Sequence, residues 1–348
     1  QSCKNAGIRV IMISSDSPEV AISFAGKVGI NNTKVVSGKE IAVLSDYTLK
    51  KIVEETSVYS RITSEDKLRI VRLLSEKAVV AVTGCNVTDV ASLKKAHVGI
   101  VPLKSAPALA TGSSIIELAD YKFGFIESAV KEARKLFCNI TKSLQYYLTC
   151  KLAIIFLFFT SIIFGVPLPF LPIHLIIFEL LIYVAASAIS IGEPPEQSLM
   201  KESSKLEKWC IDSMPLKKVF LGAFSLFLTV TIAYLFAYYT SFDPIYSITA
   251  SFTAWMLSHL FLIFNFRTQK ESILKHGLLS NKLVTIWILS VMSFLLMIST
   301  LPLIQSALNL TTLHLTDWVI VISLPFIAPF LIELTKETIQ KSSRDSIN

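Results

Sequence analysis

The pattern of apolar and polar positions changes character near residue 135. Beyond it, apolar residues merge into six runs, near 144–164, 172–191, 217–239, 247–265, 283–304 and 317–335. Each holds about the 20 residues a helix needs to cross a bilayer. Before it, short apolar runs alternate with amphipathic stretches. Ile8-Arg9-Val10-Ile11-Met12-Ile13 predicts a buried strand. Pro18 opens a helical pattern that runs to Val28 and stops at Gly29. Ser64-Glu65-Asp66-Lys67 predicts an N-cap ahead of an amphipathic helix carrying Leu68, Ile70, Val71, Leu73 and Leu74. Val79-Val80-Ala81-Val82 predicts a further strand, Ala91 to Ala96 a helix, and His97 to Val101 a third strand. Strands alternating with helices imply a parallel sheet with right-handed crossovers. Ligands of such sheets bind at the carboxyl ends of the strands. Ser14-Ser15-Asp16 and the stretch Thr83 to Asp89 fall at those ends.

Composition agrees with a membrane-bound second part. Of 348 residues, 52% are hydrophobic, too many for an ordinary soluble domain. The net charge of +7 does not point to nucleic acid, because the basic residues lie mostly between the apolar runs. One loop carries Lys201, Lys205, Lys208, Lys217 and Lys218; another carries Arg267, Lys270, Lys275 and Lys282; the tail carries Lys336, Lys341 and Arg344. The alternate loops 165–171, 240–246 and 305–316 carry no Lys or Arg. Cytoplasmic loops of membrane proteins are the basic ones, so both termini are expected in the cytoplasm. The expected domains are 1–135, soluble; 136–340, membrane-spanning; and 341–348, a cytoplasmic tail. The five cysteines, Cys3, Cys85, Cys138, Cys150 and Cys210, have neither disulfide nor zinc spacing and read as unpaired thiols in a reducing compartment. Asn139-Ile140-Thr141 fits a glycosylation sequon, yet should face the cytoplasm. The chain has no signal peptide and opens at Gln1 directly ahead of a strand, which reads as one piece of a longer chain.

Three stretches carry the chemistry. Thr83-Gly84-Cys85-Asn86-Val87-Thr88-Asp89, continued by Ser92-Leu93-Lys94-Lys95-Ala96-His97-Val98-Gly99-Ile100, resembles the hinge motif TGDGVNDxxALKKAxxGI of P-type ATPases. Met12-Ile13-Ser14-Ser15-Asp16 with Pro18-Glu19 resembles their MITGDxPE segment. Tyr59-Ser60-Arg61-Ile62 with Glu65-Asp66-Lys67 and Ile70-Val71 resembles FARxxPxxKxxIV. The order continues in the second part, where Ile191-Gly192-Glu193-Pro194-Pro195-Glu196, Ser280-Asn281-Lys282 and Leu313 to Trp318 resemble the GxEPPE, SNK and LxxxDW signatures. From about Gly7 to Lys336 the chain resembles the C-terminal part of a P-type cation-transporting ATPase of the calcium-pump-like branch. That resemblance implies an α/β, partly doubly wound, haloacid-dehalogenase-like half-domain followed by an all-α bundle of six spans. It implies an N-terminal half as partner, on the same polypeptide or separate, a lipid bilayer around the spans, and ATP and Mg²⁺ as cofactors of the intact protein, with none necessarily held by this chain. Asp16, Lys67 and Asp89 become the catalytic candidates, Ser14, Ser15, Thr83 and Gly84 the cofactor-binding ones, and Asp89 the ligand of a weak Mg²⁺ site. Taken singly, Asp89 also reads as a helix cap and Lys67 as a solvated lysine.

The departures matter as much. Cys85 stands where the hinge motif has its first Asp, Asn86 its second Gly and Thr88 its Asn. A thiol is a poor substitute for a hard carboxylate at Mg²⁺. The sequence contains no Asp-Lys-Thr-Gly-Thr, the family's acceptor segment.

Inside the apolar runs the polar residues are few, and intramembrane charge is functional by default. The transport-site candidates are Lys151, Glu179, Tyr183 and His259. Lys151 either pairs with Glu179 inside the bundle or snorkels to the interface. One Glu beside a Lys does not make a site for a hard divalent ion. His174 and His314 read as interfacial. Two functions stay open, a pump's C-terminal part or a catalytically silenced relative serving as a membrane scaffold or regulator; a channel has no use for the first 135 residues.

Overall fold

A computed structural model describes residues 2–30, 34–102, 107–118, 124–165, 167–196, 199–200, 216–269 and 273–326. Lys201, Lys205, Lys208, Lys270, Cys210 and everything from 327 onward, including most of the sixth apolar run and the tail, lie outside them. The chain divides into two compact units, with the change-over between Lys131 and Glu132.

The first unit holds two parallel sheets of three strands rather than one. β1 (Met12–Ile13), β2 (Val35–Ser37) and β3 (Val58–Ser60) pair in the order β1-β3-β2, with Met12 and Val35 both opposite Val58. β4 (Ala81–Thr83), β5 (Val98–Pro102) and β6 (Ile116–Leu118) pair in sequence order, with Ala81 opposite Val98. The predicted first strand shrinks to its last two residues. Arg9, within the predicted strand, turns its guanidinium to the carbonyls of Val53, at 2.9 Å, and Thr56.

Helices α1 (Pro18–Lys27), α2 (Gly38–Val43), α3 (Asp46–Glu55), α4 (Ser64–Ser75) and α5 (Val90–Lys95) follow the strands. α4 serves both sheets. It buries Ile70 and Leu73 in a core with Val36, Ile41, Leu49 and Tyr59, and Val71 in a second core with Val82, Leu93 and Val101. Its cap is Thr63, one residue before the predicted Ser64: Thr63 Oγ1 accepts from the Asp66 amide at 3.2 Å, and the Asp66 carboxylate accepts from the Thr63 amide at 3.0 Å. α1 ends as predicted, because Gly29 takes a left-handed φ of 75°.

Among the described residues five helices are long and apolar enough to cross a membrane: α6 (Gly124–Phe164), α7 (Pro172–Gly192), α8 (Leu216–Ser241), α9 (Pro244–Arg267) and α10 (Lys282–Thr300). α6 starts 20 residues before its apolar run because the polar stretch ahead of it continues the same helix. α10 stops at Thr300 because Pro302 opens a separate short helix, α11 (Pro302–Leu308). α12 (Leu315–Ser323) lies in the sixth apolar run. α9 is the axis of the bundle: 83% of its apolar window is buried, against 22–50% for the other four. Its Phe252 and Trp255 pack on Phe178 of α7, with centroids 5.1 and 5.2 Å apart.

Candidate functional site

In the first unit the hinge stretch leaves β4 and turns through Cys85 and Asn86 into α5. Asp89 folds back over that turn. Its Oδ2 accepts from the amides of Cys85, at 3.1 Å, and Asn86, at 3.2 Å. Its Oδ1 accepts from Lys67 Nζ at 2.7 Å, and Lys67 also donates to the Thr83 carbonyl at 3.2 Å. Lys67 reaches there from the first turn of α4. Gly84 is required by the fold-back, since a Cβ on it would lie 2.6 Å from Asp89 Cβ. Burial pushes the Asp89 carboxyl up, but the Lys67 hydrogen bond and charge, with the two amides, hold it below the ordinary carboxylate range. Cys85 is half-buried and Thr88 exposed.

Asp16 joins a different arrangement. Ser14 Oγ donates to its carboxylate at 2.7 Å and accepts its amide at 3.1 Å. Arg61, at a left-handed φ of 51°, donates its amide to the Asp16 carbonyl at 2.9 Å. Ser15 is exposed beside them. The structure thus brings Lys67, Asp89, Thr83 and Gly84 together, and Ser14 with Asp16.

In the second unit Lys151 of α6 pairs with Glu179 of α7. The pair does not lie inside the described bundle: the side chains are 29% and 34% exposed, on an outward face of the two helices. Tyr147 lies under the ammonium, 5.1 Å from centroid to Nζ, and its hydroxyl is 3.4 Å from that of Tyr183. Tyr183 itself is 53% exposed. His259 belongs to another group, in the interior. Its Nδ1 is 2.7 Å from the Tyr146 hydroxyl and 3.7 Å from Cys150 Sγ, while its Nε2 has no partner among the described residues. His174, three residues into α7, is fully buried within the protein. Asn139 is buried and donates to the Glu193 carbonyl at 2.8 Å, so it is closed to modification in this fold.

Sequence reasoning missed a polar hub at the end of α7. Glu193, its side chain wholly buried, receives Arg267 Nε at 3.0 and 3.1 Å, His276 Nε2 at 3.1 Å and Asn281 Nδ2 at 2.8 Å. Arg267 spends its remaining nitrogens on the carbonyls of Gly277 and Leu278 and on Ser280 Oγ. Burial drives the Glu193 carboxyl up, yet His276, Arg267 and Asn281 together hold it below its usual value. Beside it, the Lys142–Glu196 pair is also buried, at 2.6 Å. Lys218, counted as a loop charge like Arg267, is buried and donates to the Asn265 and Thr268 carbonyls. The presence of Glu193 and Asn281 in the GxEPPE and SNK stretches was the available signal.

An α/β unit followed by five helices long and apolar enough to span a bilayer is the make-up of a multi-pass membrane protein. Residues 167–338 match the family described as cation transporting ATPase, C-terminus. The chain is 30% identical over 358 residues to the calcium-transporting ATPase 1 of Bacillus cereus, covering 96% of this chain and 40% of that protein. It is 28% identical over 338 residues to the calcium-transporting ATPase of Bacillus subtilis, covering 95% and 38%. Against the calcium-transporting ATPase type 2C member 1 of Pongo abelii the identity is 25% over 350 residues, covering 98% and 38%. The chain therefore belongs to the P-type cation-transporting ATPases and corresponds to their C-terminal part. It spans about 40% of the length of these relatives.

Proposed function

We propose that this chain is the part of a cation-transporting ATPase that couples phosphorylation of an aspartate, absent from its sequence, to movement of an ion through its helices, with both termini in the cytoplasm. The observation that carries this reading is the Lys67–Asp89 pair, built where a parallel strand ends and anchored to the Thr83 carbonyl. A lysine so placed offers a cation to a phosphoryl group. Asp16, with Ser14 and Ser15, belongs to the same proposed machinery. An N-terminal part supplies the acceptor and the nucleotide site, and its helices cover the outward face that holds Lys151, Glu179 and Tyr183. On this reading the Lys151 ammonium occupies the carboxylate that a transported cation would use, so a hard divalent ion is a poor substrate.

The Mg²⁺ that the family implies does not fit these residues. Both oxygens of Asp89 are engaged, one by Lys67 and the other by two amides. Cys85 supplies a soft sulfur where a hard ion takes oxygen, and Mg²⁺ demands near-octahedral oxygen ligation. That donor set favours a second reading, a relative that keeps the fold with slow or no turnover.

The test is phosphoenzyme formation by the protein that joins this chain to its N-terminal half. Labelled ATP is added under a series of ions, the reaction is quenched in acid, and hydroxylamine-sensitive label is counted. Ion-dependent label supports the pump. No label under any ion, restored by Cys85→Asp with Thr88→Asn, supports the silenced relative. No label even in that double variant removes the pump and places the silencing outside Cys85 and Thr88.

A further inference from the structure

His174 has a protonation state that its surroundings dictate. It stands at the third position of α7 and is fully buried, its ring against Phe252 of α9 with centroids 4.9 Å apart. The Leu171 amide points at its Nδ1 from 3.2 Å, and the Leu308 carbonyl lies 2.8 Å from its Nε2. A backbone N–H only donates and a carbonyl only accepts, so Nδ1 is bare and Nε2 carries the hydrogen. The ring is therefore neutral, with both nitrogens in use. It closes the start of α7 onto the end of α11, where Asn309 takes a left-handed φ of 52°.

The same end of the bundle is held by neutral contacts. Ser251 Oγ donates to the Pro169 carbonyl at 2.9 Å, the Thr311 amide donates to Thr249 Oγ1 at 2.9 Å, and the His314 amide donates to the Tyr246 hydroxyl at 2.9 Å. The His314 ring lies on that of Tyr246, with centroids 5.6 Å apart, and the other charged and titratable groups nearby are bonded elsewhere. Glu179 of α7 pairs with Lys151, Tyr246 of α9 with Asp317, and His259 of α9 with Tyr146, while Asp243 caps α9 at the Ile245 amide. Segment 167–171 and α11 carry no Asp, Glu, Lys or Arg. The described contacts of the ring therefore include no carboxylate to receive a proton-bearing imidazolium.

We propose that His174 is an acid-sensitive clasp, tying the start of α7 to the 308–314 segment while neutral and releasing it when protonated from that side of the membrane. A proton on Nδ1 sets two donors against each other, strips the Leu171 amide of its acceptor and leaves a buried cation. The closed state binds one proton fewer than the open one. Its advantage is complete well above the ordinary histidine value of about 6.5 and shrinks as pH falls below it. This inference does not depend on the transport reading. It stands if the chain carries no ion.

The test uses the full chain in lipid nanodiscs, with ¹⁵N-histidine, followed from about pH 7.5 to about pH 5. Ring shifts report the tautomer, and hydrogen exchange reports peptides covering 167–176 and 301–312 after correction for the intrinsic rate. The expected result is a neutral Nε2–H ring at the high end. On acidification, exchange in both peptides should rise about fivefold or more with the same midpoint as the ring. His174→Gln, which can accept and donate at similar places without titrating, should abolish the rise. A ring already cationic at the high end, an absent rise, or a rise equal in the Gln variant overturns the proposal. If that variant does not fold, the wild-type midpoints decide alone: exchange that does not track the ring overturns it.

Discussion

Glu193 and Glu179 each face a basic side chain, one just past the end of α7 and the other within it, and the two surroundings differ in kind. Glu193 has no exposed side-chain surface, and three donors, one each from Arg267, His276 and Asn281, make four close contacts with it. Among the described residues Glu179 pairs with Lys151, and a third of its side chain is open. The first arrangement has nothing left to offer a ligand and reads as a brace between α7 and the α9–α10 connection. The second keeps carboxylate oxygen available on a face that lipid alone would serve badly. The Lys67–Asp89 pair stands between them, with side chains 18% and 16% exposed and two amides already on the acid. Saturation of the acid, more than the presence of a salt bridge, separates bracing from function here.

The comparison is broken most directly at the brace. Arg267→Met leaves Glu193 buried without its main counter-charge and should cost about 3–5 kcal/mol. Thermal unfolding in detergent with size-exclusion yield would read this as a large loss of folded protein. Adding Glu193→Gln should recover part of it, because the stranded charge is gone. A loss under about 1 kcal/mol would mean the hub is solvated and no different from Glu179.

The intermediate pair is sharpened by Gly84→Ala. The new Cβ meets the Asp89 side chain, which must leave the turn, at a cost of about 1–3 kcal/mol. In the membrane unit, Lys151→Met should change stability by no more than about 1 kcal/mol, because Glu179 escapes by taking up a proton. A loss as large as that of Arg267→Met would close the gap between the two glutamates. The smallest effect concerns pH. Asp89 titrates below its ordinary value, so its share of stability is present above about pH 3.9 and fades as pH falls through the depressed value. Denaturation of the wild type should show an acid slope there that Asp89→Asn lacks; parallel slopes would place that stability elsewhere.

How much of this was legible depends on sequence distance. The ends of α7 were written locally, in Pro172 and in Gly192 ahead of two prolines, and the fold-back at Gly84 lies within six residues of Asp89. The Glu193–Arg267 contact spans 74 positions and the Tyr146–His259 contact 113. Nothing local announces either, and Arg267 seen alone is one more basic residue after a span. The polar stretch before residue 144 gave no apolar run, so α6 was read short, although its periodic burial belongs to one helix. The division into two sheets was hidden because strands this short, all but β5 of two or three residues, depend more on what α4 packs against on each side than on their own propensity.

The centre of the bundle also has a history. Of the five long described helices α9 has the most buried apolar window and the least hydrophobic one, with a mean hydropathy of 1.5 against 2.1–2.2 for the rest. Several of its hydroxyls bond to its own turns, as Ser258 to Ala254 and Thr253 to Thr249. Only Phe242 and Asp243 separate it from α8. A weakly apolar helix so closely tethered is best delivered to the bilayer as half of a hairpin, drawn in by its greasier neighbour during synthesis. The order in which the ribosome presents these two helices thus becomes part of how the chain reaches its fold, and a longer α8–α9 link would burden biogenesis before it disturbed the finished protein.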